Sequence, residues 1–512
     1  MMNIHSADLT EVRLSLANKV LWAVFLVYLG VSGFAMAHHE LWMDEVHSWN
    51  IAKGSASFSD LITNTRYEGH PPGWYTVLWV LSKFTHRVAY MQGVQWVIAC
   101  SVVFMVLFLS PLPLMTKVLL PFGYYFIYEY AVFSRNYALG ILLACAVCFV
   151  MKKEFTFKLF AYYVLIFCLS NIHLLALLLA GSLHLYFLLM NWEQKKRRSI
   201  LFFHALLGLL VSLPAIYCIF PPSEGQQNVH FWLGNWSLSH QLTDFSNTPL
   251  RSFMPIPSWW AYHFWNTQFL LDVRNSLRVL KFINPLISLA LLSAAFFILG
   301  KNKKSLVLFS ANIVFSLILT IGAFSLTAAR HAGFIFIGFV AAYWLFCYER
   351  PLTKTTKWLV NSLLVLQLIA GVYPLLQDIR YPFSNLYRVN ELIKEVPVDE
   401  KIVSSYWAMN GVVAFTDKPA YCIDLQEEKS FLLFDDAIAA MQNKPDRYLD
   451  GVKNIFQQKG IKSIYMISTD PPEILFQTDP GLPKSFRVTL ADKIEGAIEK
   501  GSNLYLYKIT TL

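Results

Sequence analysis

The chain has 512 residues, 56% hydrophobic and only 15% charged, with a formal net charge of +9. Soluble domains usually carry about 25% charged residues, so this composition, with a mean hydropathy of +0.45, points to a bilayer and excludes one large water-soluble globule. The basic excess lies in short clusters between apolar runs rather than in a stripe on one soluble face, which argues against nucleic-acid binding.

The first apolar run, Val20 to Ala37, is too long for a signal-peptide core. It ends in His38, His39 and Glu40 instead of a small-residue cleavage site, so it reads as a retained span. A helix needs about 20 apolar residues to cross the hydrocarbon core. Spans are predicted at 20–37, 93–110, 118–133, 136–151, 158–171, 173–191, 200–220, 282–299, 305–326, 331–348 and 358–376. Segment 72–84 is apolar but short and reads as a re-entrant or interfacial helix, or as a twelfth span. The expected fold is mainly α: a polytopic transmembrane helical bundle of about 11–13 spans over residues 1–379. A small soluble α/β domain over 380–512 follows it.

Basic clusters set the orientation. Lys152-Lys153, Lys195-Lys196-Arg197-Arg198, Lys301 with Lys303-Lys304, and Arg350 with Lys354 and Lys357 belong on the cytoplasmic side. Loops 38–71 and 221–280 and the tail then face the periplasm or exterior of a bacterial inner membrane. Loop 221–280 carries Trp232, Trp236, Trp259, Trp260 and Trp265. It reads either as an interfacial aromatic belt or as a lid over a lipid or sugar site.

The tail changes character: residues 380–512 hold 18 acidic and 16 basic side chains. Lys401–Ser405 and Ser463–Ile467 read as strands, Phe431–Gln442 and Arg447–Lys459 as helices. Tyr505, Tyr507 and Ile509 alternate as in a closing strand. No glycine-rich nucleotide loop occurs there. Of seven cysteines, six lie in or beside apolar runs and Cys422 is alone in the tail, so no disulfide framework is implied.

Three segments carry ionisable groups at the outward ends of spans. The first runs His38-His39-Glu40-Leu41-Trp42-Met43-Asp44-Glu45-Val46-His47 and later Glu68-Gly69-His70-Pro71-Pro72. Adjacent carboxylates beside a bilayer are suited to acid–base work, or to holding a divalent ion through Asp44, Glu45 and Glu68. An ordinary solvated acidic surface is the competing reading. The second segment, Tyr128 to Leu139, places Glu129, Arg135 and Tyr137 at membrane depth, where charge is costly. Arginine there is matched to bidentate phosphate binding. The third is Arg330-His331, where a lone arginine also reads as snorkelling to lipid phosphates. His173, inside Asn171-Ile172-His173-Leu174, is a further candidate, otherwise a buried polar residue with a partner.

The pattern Trp42-x-Asp44-Glu45, His70-Pro71-Pro72 opening an apolar helix, Ser134-Arg135-x-Tyr137-Ala138-Leu139 and Arg330-His331 resembles the superfamily C glycosyltransferases. It is most similar to bacterial relatives of protein O-mannosyltransferases and of lipid A aminoarabinose transferases, over roughly residues 20–350. The resemblance implies inverting transfer of a sugar from a polyprenyl-phosphate donor to a hydroxyl on an envelope glycan, lipid or protein. It implies Asp44, with Glu45 beside it, as the catalytic acidic pair. Substrate contacts would come from Glu68, His70, Glu129, Arg135, Tyr137, His173, Arg330 and His331. Many relatives carry Glu two residues before the arginine matching Arg135; here Phe133 stands there, and Glu129 is the nearby carboxylate. No cofactor is required by this chemistry, although a divalent metal is compatible with it. The alternative is a transporter or flippase of lipid-linked glycan.

Overall fold

In a computed structural model of the chain, residues 4–222, 237–273, 279–322, 325–442, 445–458 and 461–512 are described. Trp232 and Trp236 lie outside them. The chain divides into two compact units: Met1–Ala37, Val94–Ala215 and Leu233–Leu376 form one, and His38–Gly93, Ile216–Trp232 and Gln377–Leu512 the other.

Among the described residues, eight helices are long and apolar enough to cross a membrane: Leu16–His38, Tyr90–Leu109, Leu174–Glu193, Arg198–Ile219, Phe282–Leu299, Lys303–Gly322, Ala329–Glu349 and Lys354–Arg380. Each coincides with a predicted span. Two more predicted spans are shorter apolar helices, Tyr137–Lys152 and Lys158–Ser170. The polytopic, mainly helical fold class is therefore the observed one.

The predicted span 118–133 is not one helix. Helix Leu114–Leu119 gives way to a 3-10 turn, Leu120–Phe122, and then to a π-helical turn, Tyr125–Glu129. Pro121 lacks an N–H for the α ladder and cannot continue it. At Gly123 a Cβ would stand 3.1 Å from the Gln367 side chain, so a larger residue would crowd the neighbouring helix. Irregular backbone at membrane depth is tolerated where protein covers it, and residues 123–138 are all buried.

The first unit has two chemically distinct ends. At one, Glu349 accepts from Tyr186 Oη (2.6 Å) and Asn302 Nδ2 (2.9 Å) and pairs with Lys304 (3.0 Å) and Lys152. Lys304 also pairs with Glu193. The basic connections after residues 152, 193, 300 and 349 thus share one end. At the other end the ring of Tyr137 meets His173 (5.1 Å) and His331 (6.2 Å).

The second unit contains a six-stranded mixed sheet. Its strands are β1 (Lys401–Ser404), β2 (Ala420–Cys422), β3 (Glu427–Lys429), β4 (Ser463–Ser468), β5 (Phe486–Ile494) and β6 (Leu504–Thr511), in the order β3-β2-β1-β4-β6-β5. β1 is parallel to β2 and β4; the other pairings are antiparallel. Helix Arg447–Phe456 buries Tyr448, Leu449, Val452 and Ile455. These pack with Ile464, Met466, Tyr507 and Ile509. Each fully buried aliphatic side chain contributes about 1.5–3 kcal/mol. The predicted strands at 401–405, 463–467 and 505–509 are β1, β4 and β6. The predicted helix Phe431–Gln442 starts only at Asp436, because Asp435 Oδ1 accepts from Ile438 N–H (3.1 Å) and so caps the first turn.

Segment 38–71, read as a loop, is largely helical: Met43–Gly54 and Phe58–Tyr67. Ser57 and Asp60 exchange side-chain-to-backbone hydrogen bonds (3.1 and 3.0 Å) that start the second helix, a capping box. Helix Gly73–Ser82 follows with ten residues, a length of about 15 Å, roughly half the hydrocarbon thickness. Helix Met43–Gly54 docks on the tail helix Tyr406–Thr416: Asn50 Nδ2 donates to the Asn410 carbonyl (2.9 Å), and Lys53 pairs with Asp417. At Gly54 a Cβ would overlap the Phe431 ring, so this close approach needs glycine.

Candidate functional site

Within the second unit, Asp44 and Glu45 lie in the first turn of helix Met43–Gly54, where the helix dipole favours negative charge. Neighbours in sequence, they have different surroundings. Glu45 is 0% exposed. Its Oε2 accepts from the Trp42 N–H (3.0 Å) and meets His39 Nε2 (3.2 Å). Asp44 is only partly buried, which leaves it accessible to a substrate.

Glu68 closes helix Phe58–Tyr67, and Gly69 after it has φ +65°. That left-handed conformation suits glycine and ends the helix. Two prolines then set the chain into helix Gly73–Ser82, with His70, half-buried, between them and Gly69. Glu68 Oε2 meets His47 Nε2 at 2.9 Å, and His47 Nδ1 meets Asn410 Oδ1 at 3.2 Å. His47 lies three residues after Asp44 on the same helix face. The unit thereby brings Asp44, His47 and Glu68 together.

Both histidines favour the charged form. At His47, burial lowers the basicity, but the Glu68 carboxylate, its hydrogen bond, Asn410 and the Asp44 charge outweigh it and raise the pKa. At His39, burial is again opposed and overcome by Asp378 (2.9 Å) and Glu45, which lift the pKa to about 10. Glu40 is held above the ordinary carboxylate range by burial, against the Phe383 N–H that it accepts (2.8 Å). Neither His39 nor Asp378 nor Asn410 was singled out from the sequence.

In the first unit, the irregular segment after Leu120 carries Glu129 and Arg135, both buried. Tyr124 Oη donates to Glu129 Oε2 (2.6 Å). Phe133 stacks on Trp265 (5.4 Å), and the Arg330 guanidinium lies over the same indole (5.1 Å). Two phenols fix the start of helix Ala329–Glu349: Tyr130 Oη donates to the Arg330 carbonyl (2.7 Å) and Tyr125 Oη to that of Ala329 (3.2 Å). Tyr125 Oη also reaches the Arg251 carbonyl (2.5 Å), which brings a third arginine to this end. His173 caps helix Leu174–Glu193 by accepting from Ala176 N–H (3.3 Å). Tyr137, His173 and His331 thus share one aromatic cluster, with Arg330 next to His331 in the chain and over Trp265; Arg135 is buried two residues after Phe133.

The predicted metal ligands do not form a set. Among the described residues no group of three or more His, Cys, Asp or Glu side chains is arranged to hold a metal ion. Glu45 and Glu68 each commit an oxygen to a histidine. Arg251 was not among the residues expected from the sequence, and Trp265 was expected in an interfacial belt or a lid. An isolated arginine closing helix Leu238–Phe253, within an aromatic-rich stretch, was the available signal.

No family model matches the chain, and no curated protein matches. Among solved structures, ArnT from Cupriavidus metallidurans bound to undecaprenyl phosphate is similar over 97% of this chain and 97% of that one, with a TM-score of 0.52 and 11% sequence identity. At that identity the likeness is one of fold, and it bears out the fold expected from the motif resemblance: the chain has an ArnT-like polytopic membrane fold that ends in a small sheet-containing domain.

Proposed function

We propose that the chain is a multi-pass inner-membrane glycosyltransferase that moves a sugar from a polyprenyl-phosphate donor to a hydroxyl on an envelope glycan, lipid or protein, with inversion. One observation carries the reading: the fold likeness, over 97% of both chains, to a protein bound to undecaprenyl phosphate. The active site and the tail face the periplasm or exterior.

In this mechanism Asp44 takes the proton of the acceptor hydroxyl as general base. The oxygen attacks the anomeric carbon from the face opposite the phosphate, through an oxocarbenium-like state. The carbon–oxygen bond to the phosphate breaks, and its electron pair leaves with the phosphate. The charge that grows on the leaving phosphate calls for cationic groups to stabilise it, a part the motif resemblance gives to Arg135 and Arg330. Trp265 and Phe133 hold Arg330 in place. Glu68 and His70 contact the donor. Glu45 supports Asp44 by fixing the helix start on which both stand. A single displacement inverts the configuration. No step is assigned to a metal, because the carboxylates do not form a ligand set.

A flippase of lipid-linked glycan shares one feature with this chain, the broken segment around Pro121, since discontinuous helices mark many transporters. The two readings separate in nanodiscs loaded with undecaprenyl-phosphate-linked hexose or pentose and an envelope-lipid acceptor. A transferase releases undecaprenyl phosphate in step with a glycosylated acceptor. An intact donor, with its translocation accelerated in proteoliposomes, would overturn the transferase reading.

A further inference from the structure

Glu68 Oε1 has no hydrogen-bond partner among the described residues, although the side chain is 6% exposed. A buried carboxylate oxygen left so has lost its water without a partner in return. Such groups call for an explanation. The other oxygen is held through two links: Glu68 Oε2 to His47 Nε2 at 2.9 Å, and His47 Nδ1 to Asn410 Oδ1 at 3.2 Å. Asn410 is itself fixed, since its carbonyl accepts from Asn50 Nδ2 (2.9 Å) and its side chain is buried. The ring of Phe434 lies 5.3 Å from His47 and limits its swing. Every member of this line belongs to one compact unit, and its far end is in the tail, more than 300 residues along the chain from Glu68.

The oxygen chemistry fixes the direction of the line. An amide oxygen only accepts, so His47 donates from Nδ1. An ionised carboxylate also only accepts, so Nε2 donates to Glu68. With both imidazole nitrogens committed, the histidine clamps one carboxylate oxygen in a set orientation and the second oxygen is left as an acceptor. Sugars offer hydroxyl donors that match a lone carboxylate oxygen.

We infer that Asn410 is a positioning residue: through His47 it orients Glu68 so that Oε1 accepts a hydrogen bond from a hydroxyl of the donor sugar. This rests on the transferase reading above. It gives the C-terminal domain a part in donor recognition and makes it more than a cap.

The test uses the full chain in nanodiscs with two probes. Undecaprenyl phosphate alone reports on phosphate binding. An undecaprenyl-phosphate-linked hexose or pentose, whichever the wild type turns over, reports on transfer. Asn410→Leu removes the acceptor for His47, and Asn410→Asp keeps it. A misplacement of about 1 Å in a reacting group costs up to roughly a hundredfold in rate. The expected result is a loss of about tenfold or more in kcat/KM for Asn410→Leu, with undecaprenyl phosphate affinity unchanged, and recovery in Asn410→Asp. Wild-type kcat/KM in Asn410→Leu overturns the inference. So does an affinity for undecaprenyl phosphate that falls in parallel with activity, or an Asn410→Asp variant as impaired as the leucine one; each would make the contact structural only. If the wild type binds undecaprenyl phosphate but transfers no sugar, the transferase reading itself has failed, and this inference falls with it.

Discussion

Glu45 and Asp44 are adjacent, yet their surroundings differ, and substituting Glu45 measures what that difference does. Glu45→Ala removes the acceptor for the Trp42 N–H (3.0 Å) and one of two carboxylates on His39 (3.2 Å). Loss of a helix-start acceptor costs about 1 kcal/mol. Loss of one partner of a buried ion pair costs about 3–5 kcal/mol. One oxygen serves both contacts, so the two costs overlap and do not add. The net cost is set at about 3–5 kcal/mol, with Asp378 still 2.9 Å from His39 to soften it. Glu45→Gln keeps an acceptor for Trp42 and loses the charge, at about 1.5–3 kcal/mol. In detergent, the unfolding temperature followed by tryptophan fluorescence should fall by about 3–5 °C for the alanine variant and by about half that for glutamine, at roughly 2.1 cal/mol/K of unfolding entropy per residue over 512 residues. Unchanged melting in both variants, with activity abolished, would refute the supporting role and make Glu45 a chemical participant.

Two further predictions test other contacts. His39 is raised to about 10 from an unfolded value near 6.5, so its ion-pair stabilisation is complete below about pH 6.5 and is lost as pH rises through about 10. Melting temperatures taken from pH 6 to 10 should therefore decline, and His39→Gln should flatten that decline; an equal slope in the variant would remove His39 as its cause. Gly333 sits where a Cβ would overlap the Tyr125 ring and the Tyr130 hydroxyl, and Tyr130 holds the Arg330 carbonyl (2.7 Å). Gly333→Ala should cost about 1–3 kcal/mol by overpacking and weaken undecaprenyl phosphate binding, as read by melting and by titration of the lipid into nanodiscs; wild-type values in both would show that the cluster tolerates the shift.

Hydropathy made the spans readable because a bilayer demands long apolar runs. It misled at 118–133, where Pro121 and Gly123 interrupt an apolar stretch that neighbouring helices cover. Segment 38–71 concealed its helices for another reason: residues 45–52 are all buried, so no polar face alternates with an apolar one. Once that segment is a helix, His47 falls one turn from Asp44 and becomes visible as part of the site. Asp378 and Asn410 stayed hidden, since they meet His39 and His47 only through contacts 339 and 363 residues apart in sequence. In the tail, β2 and β3 have three residues each, too few for a period to register. β5 is a mostly exposed edge strand and lacks the apolar alternation that marked β6. The motif residues fall into a carboxylate–histidine cluster in one unit and an arginine–aromatic cluster in the other, a division that spacing along the chain does not reveal.

Asp44→Asn in nanodiscs, with release of undecaprenyl phosphate from a linked sugar as the readout, separates the chemistry of Asp44 from folding and binding. General-base catalysis contributes about 10²–10⁴-fold. Release should fall by about that factor, with unchanged melting and unchanged binding of undecaprenyl phosphate. Release at the wild-type rate from the well-folded variant would contradict general-base catalysis by Asp44.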